Sequence, residues 1–98
     1  MSNEVEKLIQ EKGLTASRVT PERIDSVIVN EEFHKLTDTL TVCVLTLENH
    51  FTVTGESACT SPENYNKEVG EKVARDNAKK KIWMLEGYLL KQRLYEGG

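Results

Sequence analysis

Two periodicities divide the chain. Leu40, Val42 and Val44 alternate with Thr41, Cys43, Leu45 and Leu47, a period of two that predicts a strand over residues 39–47. Glu48-Asn49-His50-Phe51 reads as a tight turn, and the alternation resumes behind it, so the predicted hairpin is 39–47/51–57. With Asn49 and His50 as a two-residue loop, Glu48 faces Phe51, Thr46 faces Val53 and Val44 faces Gly55. That register gathers Leu40, Val42, Val44, Phe51 and Val53 on one apolar face. The other face, with Cys43, Leu45, Leu47, Thr52 and Thr54, is mixed and calls for a covering element or another chain.

The flanks read as helix. Val5, Leu8 and Ile9 make the apolar side of a short first helix that Ser2 or Asn3 can cap and Gly13 can end. Residues 14–19 read as a connector. Thr20-Pro21-Glu22 starts a second helix, with Val19 and Ile24 placed as a hydrophobic staple. Residues 27–36 are open between helix and strand, because β-branched side chains favour the latter. The expectation is a helix over 21–28 and a short third strand over 30–36. Ser61-Pro62-Glu63 is a further helix start, and helical patterning continues from Tyr65 to Tyr95. The pairs Glu68/Lys72, Glu71/Arg75 and Asp76/Lys80 support that helix at i, i+4. Gly70, Ala74, Ala78, Ile82, Leu85 and Leu89 form its stripe. The predicted fold is α+β: a small antiparallel sheet, two short N-terminal helices, and a long C-terminal helix whose stripe meets the Leu40/Val42/Val44/Val53 face. A straight helix of that length outruns a compact chain of this size, so it bends near Gly87 or projects onto a partner.

Composition narrows the functions. Ninety-eight residues, 38% hydrophobic and 30% charged, suit one domain over residues 1–98 and exclude a multidomain enzyme or a membrane span. The N-terminus has no secretory pattern, so the expected location is the cytoplasm, with Cys43 and Cys59 as free thiols. The net charge of -3 argues against binding nucleic acid as a whole, but residues 72–98 carry seven basic and three acidic groups, a local basic patch.

Chemistry is sparse. His34, Cys43, His50 and Cys59 match no metal-ligand spacing, and neither a metal nor a cofactor is expected. Gly55–Cys59 brings an acid, a hydroxyl and a thiol together beyond a strand, without an evident base or oxyanion hole. No catalytic residue is assigned, and the chain is read as no enzyme. One constellation could hold a small ligand: Arg75, Lys79, Lys80 and Trp83 on the helix with Glu56 and Ser57 on the connector, an anion and base site.

The run Phe51–Cys59, then Asn64-Tyr65, Gly70, Ala74, Ala78, Lys81-Ile82-Trp83 and Leu85–Leu90, resembles a family of small tailed-phage proteins known by its members' gene-product numbers 49 and 66. The likeness extends from about Thr20 to Leu94. His50 stands where an Asn-Gly turn would have glycine. The resemblance carries no catalytic residues. It implies a phage or prophage gene expressed in the cytoplasm of a bacterial host, and it marks Gly55, Glu56, Gly70, Glu86 and Gly87 as close backbone approaches and buried or bonded carboxylates.

Three functions remain. The first is a non-enzymatic accessory protein, a homodimer or higher oligomer that binds a host or phage protein. The second sequesters a nucleotide signal of antiphage defence. The third binds nucleic acid through the basic helix. No membrane partner is expected.

Overall fold

A computed structural model describes residues 3–13 and 16–97. Chain order is α1 (Asn3–Glu11), α2 (Pro21–Ser26), β1 (Ile28–Lys35), β2 (Leu40–Leu47), β3 (Thr52–Ala58), a single 3-10 turn at Pro62–Asn64, and α3 (Lys67–Tyr95). The strands form one antiparallel sheet in the order β1-β2-β3. The fold is α+β, as expected.

Local chemistry sets the helix ends. Gly13 closes α1 at φ +66°, its N–H donating to Gln10 O. The Ser2 cap and part of the 14–19 connector lie outside the described residues. Thr20 Oγ1 accepts from Arg23 N at 3.2 Å, and Pro21 takes the first helical position of α2. That helix ends at Ser26, two residues earlier than expected, and β1 begins at Ile28. The register slips at Val29, which leaves Val29 exposed on the edge strand. The Ser61-Pro62 start makes only the 3-10 turn, and Asn66 is the cap of α3, its Oδ1 accepting from Val69 N at 3.0 Å. Of the predicted i, i+4 pairs, Arg75 turns instead to Glu31, and Lys72 pairs with Asp76 at 3.4 Å.

The hairpin corrects the sequence reading by one residue. His50 N–H donates to Leu47 O, and Leu47 N–H donates to Phe51 O, both at 2.8 Å. The loop is therefore Glu48-Asn49-His50, a turn finished by a left-handed residue, with His50 at φ +74°. Asn49 Oδ1 accepts from Phe51 N and holds that exit. Leu45 then faces Val53 and Cys43 faces Gly55. A slip of one residue exchanges the two faces of a strand. Thr41, Cys43, Leu45 and Leu47 point at α3 and are buried, while Leu40, Val42 and Val44 are only partly covered on the opposite face. Val53 lies with the buried set, not with Leu40 as expected.

The core is Ile24, Val27, Cys43, Leu45, Leu47, Val53, Ala74, Ala78 and Ile82, with Val19, Ile28, Phe33 and Trp83 packed against it. Gly55 is what lets α3 settle on the sheet. A Cβ there would lie 2.9 Å from Ala78 Cα, and nearer still to Ala78 N and Ala74 O. The small row Ala74/Ala78 thus packs against bare backbone on its own sheet, and the close approach expected at Gly55 is present. The second half of the stripe departs from expectation, since Leu85 and Leu89 are exposed and Glu86 is buried in their stead. The helix continues through Gly87, where a Cβ would meet nothing within 4 Å, so no close contact among the described residues explains that glycine. At ~1.5 Å per residue α3 is about 44 Å long, and it sets the longest dimension of a molecule 51 × 32 × 18 Å.

Candidate binding surfaces

Three surfaces carry the polar and apolar groups that could act on another molecule. The first is a groove of about 390 Å³ where the hairpin turn meets α2 and the C-terminal part of α3. Val27, Leu47, Phe51, Leu85 and Leu89 form its apolar wall. Charge crosses it: Arg23 Nε donates to Glu86 Oε1 at 2.8 Å, and an Arg23 terminal nitrogen lies 3.6 Å from Glu48 Oε1. The hydrogen bond to Glu86 raises the guanidinium above its ordinary value, with the charges of Glu86 and Glu48 adding to the effect. Glu86 is 8% exposed, so it is the bonded, buried carboxylate that the resemblance implied. Arg23 sits 63 residues away, and nothing local in the sequence announces the pair.

Adjoining the groove, which Tyr88 also lines, α3 presents an outward seam. Met84, Tyr88 and Tyr95 are 71%, 70% and 81% exposed. With Lys91 they recur at spacings of four, three and four, the rhythm of a helix face that packs on another helix. Gly87 falls on the same face.

The third surface is a cavity of about 340 Å³ between the end of β3 and the first turns of α3. Thr41, Ser57, Cys59, Tyr65 and Gly70 line it. The Cys59 thiol donates to Ser61 O at 3.4 Å, and Lys35 Nζ lies 4.1 Å from the centre of the Tyr65 ring. Neither histidine lines this cavity among the described residues.

The six residues of the sequence-derived ligand site do not converge. Arg75 holds Glu31 of β1 through two hydrogen bonds of 3.1 and 2.9 Å and packs over Phe33. The Glu31 bond raises its guanidinium above the ordinary value, against the opposing effect of burial. Lys79 donates to Asp25 of α2 at 2.8 Å. Trp83 packs against the core, and Lys80 is exposed. Glu56 and Ser57 belong to β3, the opposite edge of the sheet, where Asn77 Nδ2 donates to Glu56 O. The thiol–imidazole set is dispersed as well: His34 and Cys43 lie on opposite faces of the sheet, and His50 is in the turn. Cys43 and Cys59 are both free thiols. Among the described residues no helix is long and apolar enough to cross a membrane.

A small three-stranded sheet backed by one overlong helix is thus the scaffold on which these surfaces sit. The chain belongs to the phage protein family described as N4 Gp49/phage Sf6 gene 66, which it matches over residues 19–94. No curated protein and no solved structure matches it.

Proposed function

We propose that this phage protein is a non-enzymatic accessory protein of the host cytoplasm that self-associates through the outward face of α3 and acts by binding a host or phage protein. One observation carries the reading: Met84, Tyr88 and Tyr95, with Lys91 among them, form a regular and exposed seam on a helix that outruns its own sheet. Surface area agrees. The folded chain exposes 7059 Å², against about 5,700 Å² for a compact monomer of its mass. The surplus, about 1,400 Å², exceeds the ~800 Å² that each partner gives to a standard interface. Its radius of gyration is 16.1 Å, where about 13 Å is usual for this length. A second helix lying on the seam would also give Gly87 the close neighbour it lacks.

The nucleotide and nucleic-acid readings rank lower. Two of the cations they need, Arg75 and Lys79, are already held by Glu31 and Asp25.

Native mass spectrometry and light scattering across a wide range of concentration test the proposal. The expected mass is a multiple of 11.1 kDa. Tyr88→Lys should return it to a monomer with unchanged helicity. A strict monomer at every concentration, with no partner recovered from infected cells, would overturn it.

A further inference from the structure

The cavity at the N-terminal end of α3 holds a group that the fold does not explain. Thr41 is 2% exposed, yet its Oγ1 has no hydrogen-bond partner among the described residues. A buried hydroxyl left unpaired costs stability. Valine would fill the same volume on this strand without that cost. The hydroxyl is directed at the first turn of α3, because it lies 3.2 Å from where a Cβ on Gly70 would stand. Tyr65 Cε1 is 3.9 Å from the same point. Gly70 has an ordinary helical backbone, so its φ does not call for glycine. What the missing side chain does is leave room between the Thr41 hydroxyl, the Tyr65 ring and the helix.

The surroundings favour negative charge. The amino end of a 29-residue helix faces the cavity at Asn66, Val69 and Gly70; the Val69 and Gly70 N–H groups already donate to Asn66 Oδ1 and Asn66 O, so the helix offers the positive end of its dipole rather than free donors. Ser57 supplies a second hydroxyl, and Lys35 stands over the Tyr65 ring. No aspartate or glutamate lines the cavity among the described residues, in a chain that carries sixteen. Val69, Val73 and Ala58 complete an apolar wall. We propose that this cavity binds a small phosphate ester, its oxygens held by the hydroxyls of Thr41 and Ser57 and its charge favoured by the positive end of the α3 dipole, with its organic part against Val69 and Val73. The site is independent of the α3 seam and does not rest on the self-association reading.

The probes are inorganic phosphate and phenyl phosphate, added to the full chain at constant ionic strength and followed by amide NMR shifts and thermal unfolding. Saturable shifts at Thr41, Val69 and Gly70 are expected, with phenyl phosphate binding more tightly than inorganic phosphate. Thr41→Val should melt higher than the unmodified chain without ligand and bind at least tenfold more weakly. Thr41→Ser should retain binding, and Gly70→Ala should weaken it by filling the clearance. A merely structural threonine would not produce this opposition of raised stability and lost binding. Absence of saturable shifts, equal binding by Thr41→Val, or a lowered melting temperature in Thr41→Val would each overturn the assignment. Benzoate binding in preference to phenyl phosphate would overturn the choice of phosphate.

Discussion

Replacing Gly55 by alanine adds one methyl group at the tightest point of the molecule. That methyl would sit 2.9 Å from Ala78 Cα and closer to Ala78 N and Ala74 O, all of them helix backbone. Ordinary carbon contacts need ~3.5–4.0 Å, so α3 must retreat by about 1 Å. No rotamer can absorb the clash. A radial gap of that size forfeits roughly a quarter to a half of the dispersion between facing atoms. The atoms concerned belong to Ala74, Ala78 and Ile82 on one side and Cys43, Leu45 and Val53 on the other, the centre of the core. Overpacking of a yielding core costs about 1–3 kcal/mol. Against rigid backbone we expect the upper end, about 3 kcal/mol. For a domain of this size that lowers the melting temperature by roughly 12–24 °C. Far-ultraviolet circular dichroism during heating and urea unfolding reads both quantities. Gly87→Ala is the control, since its Cβ meets nothing within 4 Å. Measured on the dilute monomer, it should stabilise the helix by about 1 kcal/mol. If Gly55→Ala melted within 2–3 °C of the unmodified protein, well inside the scatter of ordinary surface changes, the helix-on-backbone packing described here would be wrong.

Three smaller tests follow. His50→Gly should raise stability by about 1 kcal/mol in urea unfolding, because His50 occupies a left-handed conformation that glycine adopts without strain. Asn66→Ala removes the cap that accepts from Val69 N and should cost about 1 kcal/mol by the same assay. Burial, with the charge of Glu31 adding to it, lifts the Cys43 thiol above its ordinary value of 9.0. The folded state thus holds that proton more tightly than the unfolded chain, and the stability this provides is complete below pH 9.0 and lost as pH rises through the folded-state value. The urea midpoint should fall more steeply above pH 9.0 in the unmodified protein than in Cys43→Ala. Equal slopes would show that this thiol is not the group responsible.

Much was legible along the chain because its signals are local. The cap at Thr20, the glycine stop at Gly13, the two hairpin strands and the continuous helical pattern from residue 67 onward each depend on neighbours within a few positions. The juxtaposition of Gly55 with Ala74 and Ala78 was foreshadowed by residue size, since small side chains at i, i+4 make sense only if another backbone comes close. The candidate surfaces were far less legible. Arg23 and Glu86 are paired across 63 residues, and the unpaired hydroxyl of Thr41 is one threonine among many until α3 closes over it.

Alternation, caps and periodicity were enough to place β2, β3 and the body of α3, but they left residues 27–36 open and took Ser61-Pro62 for a helix start where only a 3-10 turn forms. The sequence by itself could not decide which face of β2 is inside, because Leu-Thr-Val-Cys-Val-Leu-Thr-Leu is nearly as apolar on one side as on the other. Tertiary packing settled that: the three-residue turn pairs Cys43 with Gly55 and Leu45 with Val53, and α3 lies on the face that bears Gly55, so Cys43 and Leu45 are inside. Nor could the periodicity say where the stripe of α3 would stop being core. A strand of eight residues reaches ~27 Å and the helix ~44 Å, so only part of an apolar stripe finds a sheet to cover it. The side chains beyond that point keep the pattern of buried residues and lie open to solvent, because burial depends on what stands opposite and the chain alone does not carry that information.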